Sequence, residues 1–217
     1  MKQLIFCLGI LTFTLSASAT ELTMNSESTF DPGHTNRFTL MAGVNSSLTK
    51  AADLQDFALS YGRQLDSYWI DANVMMTSGL FREFGENHPP ATGSVNSALE
   101  EQKNTLTSIG VGIGRETRYA QTLLPFNDIY ELMAANLTYN MYKEDFTGQS
   151  FNGPGLLAKF AVYKRMNDYF SAGVHFNYNI SVVKRSKNED AVISESNSSR
   201  SLTLGFLTIG FNISLYL

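Results

Sequence analysis

The sequence predicts an all-β fold, an antiparallel barrel of eight strands that crosses a membrane, with short turns at one end and longer loops at the other. Three observations lead there. From Arg37 onward apolar residues recur at every second position, the period of a strand rather than of a helix. After the N-terminal run no apolar stretch approaches the ~20 residues of a spanning helix, whereas a tilted strand crosses with ~9–11. The connections between the alternating segments are short and long in turn, which sorts them to two ends of one sheet.

The chain opens with Met1 and Lys2, an apolar run from Leu4 to Leu15, and Ala17-Ser18-Ala19. These are the positive start, the short apolar core and the small-residue cleavage site of a signal peptide, so residues 1–19 are expected to be removed. Residues 20–36 are then expected to form a periplasmic N-terminal segment, and 37–217 the barrel. Cys7, the single cysteine, lies inside the leader, which leaves the mature chain with no disulfide and no thiolate chemistry. The formal net charge of −4 falls by one more unit once Lys2 is gone, and no basic stripe interrupts the chain, so nucleic acid is not an expected partner.

The strands are expected at Phe38–Val44, Phe57–Tyr61, Tyr68–Met76, Ile109–Ile113, Met133–Met141, Leu156–Val162, Tyr169–Val183 and Ile209–Leu217. The seventh shows the pattern best. Phe170, Ala172, Val174, Phe176, Tyr178, Ile180 and Val182 share one face, and Ser171, Gly173, His175, Asn177, Asn179 and Ser181 share the other. A soluble sandwich or lipocalin also alternates, with its apolar side turned inward, so alternation alone does not orient the wall. The connections do. Residues 63–67 and 164–168 are tight, whereas 45–56, 78–104, 143–153 and 184–200 are long and polar, the asymmetry of a barrel with short periplasmic turns and longer extracellular loops. Residues 115–127 are too long for that scheme unless strand four continues through Thr117 and Tyr119. Phe38, Tyr68, Tyr119 and Phe170 toward one rim, and Phe57, Tyr139, Tyr142 and Tyr178 toward the other, are expected to form aromatic girdles.

With this leader, this loop asymmetry and the final strand Ile209-Gly210-Phe211-Asn212-Ile213-Ser214-Leu215-Tyr216-Leu217, the chain resembles the small OmpA/OmpX-type eight-stranded outer-membrane barrels over its whole mature length. The resemblance implies that Phe211, Ile213, Leu215 and Leu217 form the C-terminal signal read by the outer-membrane assembly machinery, with Leu217 where that family usually has Phe. It implies a monomer in the cell outer membrane, in contact with outer-membrane lipid and lipopolysaccharide.

If the apolar face meets lipid, Arg37, Thr39, Asn45, Ser60, Trp69, Asp71, Asn73, Asn136, Lys159, Tyr163, His175, Asn177, Asn179, Asn212 and Ser214 line the lumen. Eight strands enclose only enough room for side chains, so Arg37, Asp71, Lys159 and His175 are expected to form a buried structural network rather than a selectivity filter. One lumenal histidine without a cluster is no metal site, and no cofactor or metal is expected. A Ser-His-Asp set from Ser60 or Ser171 with His175 and Asp71 would need mutual geometry that spacing does not supply. The lipid A deacylases resemble the chain in size and carry a His-x-Ser pair on a late strand, but here His175-Phe176-Asn177 has Asn at the nucleophile position. No catalytic residue is therefore expected. Gly110, Gly112 and Gly114 lack the helix and lysine of a phosphate loop and are read as making room for bulky neighbours such as Trp69 and Tyr163, or as permitting the sharp curvature of a narrow barrel. Lys184, Arg185 and Lys187, at the base of the last loop, are expected to contact lipopolysaccharide phosphates.

Function is thus expected to be that of a non-enzymatic outer-membrane scaffold whose loops contact the envelope or a partner. The alternatives are a narrow pore or carrier for small solutes or apolar molecules and, further off, a lipid-modifying enzyme.

Overall fold

A computed structural model of the protein describes residues 34–45, 52–81, 104–119, 128–144, 149–185 and 200–217. The expected leader, most of the N-terminal segment, and His88 and Lys187 in the loops lie outside the described residues. Eight strands run β1 (Asn36–Asn45), β2 (Ala52–Leu65), β3 (Tyr68–Leu80), β4 (Asn104–Thr117), β5 (Ile129–Lys143), β6 (Ser150–Arg165), β7 (Phe170–Arg185) and β8 (Arg200–Tyr216). Each pairs antiparallel with the next, and β1 pairs with β8 to close the barrel. Closure sets Arg37 opposite Tyr216 and Thr39 opposite Ser214, with paired backbone bonds between Asn36 and Leu217 at 3.0 and 2.9 Å. No sheet edge is left along that seam, the condition for a sheet in hydrocarbon.

Both chain ends of the barrel lie with the β2–β3, β4–β5 and β6–β7 connections, at what is here termed the turn end. The first of these reverses through Asp66 and Ser67 alone. Asp66 takes a left-handed φ of 57°, which a short polar side chain tolerates, and Gln64 Nε2 donates to its carbonyl at 3.0 Å. In the β6–β7 turn the Asn167 side chain accepts from the Tyr169 and Phe170 amides at 2.9 and 2.8 Å. The remaining connections define the loop end.

The orientation of the wall is that of a membrane barrel. Leu40, Leu59, Val74, Val111 and Leu137 stand outward, Leu137 at 72% exposure, as does Phe211 at 75%. Arg37, Asp71, Lys159 and His175 are buried within. Apolar surface on this scale over a whole barrel is stable only against lipid or another apolar surface. Phe38, Tyr61, Tyr68 and Phe170 ring the turn end, and Phe57 and Tyr139 stand outward toward the loop end. Tyr142, expected in that second girdle, instead faces the lumen, because Tyr139 and Tyr142 differ by an odd number of residues and so lie on opposite faces.

The strands are longer than expected, most of all at the loop end. β8 is the most instructive. From Leu207 its outward residues are apolar, but between Arg200 and Phe206 the apolar residues Leu202, Leu204 and Phe206 are the inward ones. The register with β7 is unbroken from Arg185 and Arg200 to Phe170 and Leu215, so no bulge causes the change. One continuous strand carries its oil outside in one half and inside in the other.

Candidate functional site

The candidate site is the lumen, which is filled in three layers. At the turn end, the register places Arg37 of β1, Gly62 of β2 and Asp71 of β3 on one rung. A Cβ on Gly62 would stand 2.4 Å from an Asp71 carboxylate oxygen, so the missing side chain is what lets Arg37 and Asp71 meet across β2. Arg37 Nη2 reaches Asp71 Oδ1 at 3.4 Å, and Lys159 Nζ reaches Asp71 Oδ2 at 3.3 Å. Arg37 Nη1 also lies 3.6 Å from Glu116, which Arg165 approaches at 3.6 Å and to which the Tyr163 hydroxyl donates. The result is a chain of alternating sign, Lys159, Asp71, Arg37, Glu116, Arg165. Aromatic rings enclose it. The Arg37 guanidinium lies 4.2 Å from the Trp69 ring centre, and Arg165 lies 4.7 Å from both Tyr130 and Tyr216.

The middle layer is made of amides and hydroxyls. Asn140 donates to Thr138 at 3.0 Å, and Thr39 and Ser214 share a hydrogen bond of 2.9 Å across the closing seam. Asp56 accepts from Thr208 at 2.7 Å and Asn177 at 3.4 Å. At the loop end the lumen turns apolar. Met41, Leu54, Met75, Leu106, Phe151 and Phe206 pack with their neighbours into one buried cluster. Phe81, just beyond β3, lies edge-on to Tyr142 and Phe206, with ring centres 5.4 and 5.5 Å away.

Of the four residues expected in the lumenal network, Arg37, Asp71 and Lys159 are joined by ion pairs that do not include His175. His175 is fully buried, but the register sets it beside Gly210, and from there across Gly43 to Asp56. The carboxylate that the register brings to its level is accordingly Asp56, not Asp71. Ser171, one of two serines weighed as a nucleophile, shares a hydrogen bond of 3.2 Å with the Tyr216 hydroxyl at the turn end. The considered Ser-His-Asp set is therefore not assembled from these residues.

Glu116 and Arg165 were not anticipated because the expected fourth and sixth strands stopped at Ile113 and Val162. Their positions carry lumen parity, continuing Gly110-Gly112-Gly114 and Lys159-Ala161-Tyr163, and longer strands would have revealed them. Gly110 and Gly112 accommodate Asn73, Thr138 and Asn136 rather than Trp69 and Tyr163, while Gly173 leaves room for Tyr163. At the base of the last loop, Lys184 points outward into the surroundings. Arg185 is drawn back by its partner Gln149, over the Phe151 ring at 5.5 Å. Phe211, Ile213 and Leu217 of the expected assembly signal are exposed on the outer face of the barrel, and Leu215 shares that face half-buried.

A closed antiparallel barrel of eight strands, filled within and apolar without, is the architecture of the small OmpA/OmpX-type outer-membrane barrels. Among solved structures, the chain is similar to Neisserial surface protein A (NspA), with a TM-score of 0.52 at 14% identity over 85% of this chain and 96% of that one. Ail, the attachment invasion locus protein of Yersinia pestis, superposes less well. Alone it gives a TM-score of 0.33 at 14% identity over 82% and 96% of the two chains. In complex with the heparin analogue sucrose octasulfate it gives 0.31 at 15% identity over 82% and 95%. No protein-family model and no curated protein sequence matches the chain.

Proposed function

We propose that the protein is a non-enzymatic, monomeric barrel of the Gram-negative outer membrane, a rigid platform that holds its loops at the cell surface. On this reading the turn end is periplasmic and the loop end extracellular, and Phe211, Ile213, Leu215 and Leu217 serve the assembly machinery. The observation that carries it is the packing of the lumen at both ends. Trp69 and Tyr216 at the turn end and Phe151, Leu106 and Phe206 at the loop end are buried to within 1% exposure. Side chains interlocked in this way resist opening a path for solute, and a stiff wall is what positions loops for recognition. An ion chain and a hydrogen-bonded seam stiffen it further.

The test is the purified barrel in planar bilayers, with solute flux measured in parallel. Membranes that stay silent while the protein shows a heat-modifiable, folded band are the expected result. Stable conductance steps that vanish on changing lumenal residues would replace the platform with a narrow pore.

A further inference from the structure

The outer wall is not evenly charged at the loop end. Lys143 closes β5 and Lys184 stands near the end of β7, both outward and exposed. Between them runs β6, whose outward residues at that level are Ser150 and Asn152. The register aligns Lys143 with Ser150, Met141 with Asn152, and Asn152 with Lys184. The two lysines therefore straddle a single strand, their Cα atoms roughly 12 Å apart from two strand spacings and a two-residue offset. Lysine stems of ~6 Å converge over that distance, above a hydroxyl and an amide that also donate.

Immediately below lies oil. Tyr139, Leu156 and Val182 are outward and exposed on the same three strands, beside Pro154. On the opposite half of the barrel the comparable outward positions Val44, Gln55, Ser78 and Thr105 carry no charge. A pair of cations seated on the boundary of an apolar wall, with donors between them, suits a ligand that has both phosphate and acyl chains. A free phosphate would leave the wall below unused.

We propose that Lys143, Ser150, Asn152 and Lys184 form a binding site on the outer wall of the barrel for a phosphate of lipid A, whose acyl chains lie along Tyr139, Leu156 and Val182. This deepens the outer-membrane reading and rests on it. It replaces the expected trio at the last loop with a site centred on β6. Arg185 is turned inward and takes no part.

The experiment uses the full barrel refolded in detergent micelles, with lipid retention counted by native mass spectrometry. The ligands are bis-phosphorylated lipid A, its dephosphorylated form, and phosphatidylglycerol as the other membrane phosphate. Wild-type protein is expected to retain one lipid A in preference to the other two. The double variant Lys143→Glu with Lys184→Glu should bind it roughly thirty-fold more weakly or worse, the combined loss of two lysine–headgroup attractions. Lys143→Gln with Lys184→Gln, which adds no repulsion and guards against misfolding, should show most of the same loss. Equal retention by wild type and the glutamine variant overturns the site, and so does phosphatidylglycerol bound as tightly as lipid A. Either result in a barrel that inserts and stays silent in bilayers leaves the platform reading standing, so the two failures are distinguishable.

Discussion

Replacing Asp71 by alanine removes the one carboxylate that Lys159 and Arg37 share. The two cations are not equally affected. Arg37 keeps Glu116 at 3.6 Å, whereas Lys159, only 4% exposed, has Asp71 at 3.3 Å as its ion-pair partner. Stranding a buried charge in this way costs about 3–5 kcal/mol. Native proteins are stable by only about 5–15 kcal/mol, so the loss is a large fraction of the whole. If the cost arises from Lys159, removing its charge should return much of it. Lys159→Met in the Asp71→Ala background is expected to recover about 2 kcal/mol, as residues in one network commonly couple by up to about 3. The assay is equilibrium unfolding by urea in lipid vesicles, followed by emission of Trp69, the single tryptophan, and independently by the heat-modifiable band. Strictly additive losses in the two single variants and the double would refute the argument, because Asp71 and Lys159 would then be acting separately.

Val174 stands outward on β7, beside Phe211 of β8, and arginine there should lower the stability of the bilayer-inserted barrel by about 2–4 kcal/mol. Vesicle refolding yields equal to wild type would show that this face does not meet lipid. Deleting Ser214 to Leu217 strips the partners of Arg37, Phe38 and Thr39 and the paired bonds at Asn36, leaving backbone groups open in the wall at several kcal/mol each. Assembly in outer-membrane preparations, scored by protease protection, is expected to be lost, while Leu217→Phe should assemble as well as wild type. A deleted chain that still assembles would contradict closure by β8.

The eight strands and the sidedness of the wall were legible because the middle of each strand obeys one rule, apolar outward and polar inward. Thr39, Ser60, Asn73, Asn179 and Asn212 all fall inside as parity demands. The strand ends were not legible. Above the apolar band the outward positions become Gln55, Ser150, Asn152 and Lys184, while the inward ones become Leu54, Phe151 and Val183. The strands go on pairing through this exchange, with a register shift between Ala52 and Gln55 of β2, but the apolar residues change parity, and a search for steady alternation reads the exchange as the end of a strand. At the turn end β4 and β6 read as shorter because their last outward residues, Arg115 and Lys164, are polar, and this hid Glu116 and Arg165. The neighbours of His175 were not legible for a different reason. Parity gives its face, but its neighbour depends on the register of β1 with β2 and β8, which no single strand encodes.

The ion chain also bears on the route by which the barrel forms. Its two anions, Asp71 and Glu116, lie on the adjacent strands β3 and β4, while Arg37 is on β1 and Lys159 and Arg165 are both on β6. A β3–β4 hairpin alone carries two like charges of this chain, and a β5–β6 hairpin carries two of the opposite sign. Cancellation requires β1, β3, β4 and β6 to surround a common space, which happens only once the sheet has curled and shut. A half-built sheet in the membrane therefore holds exposed charge that the finished one does not, and such states are disfavoured against both the unassembled chain and the closed barrel. Insertion should accordingly proceed as a single cooperative event with few stable intermediates, timed by the slow meeting of the two most distant strands rather than by the formation of any hairpin.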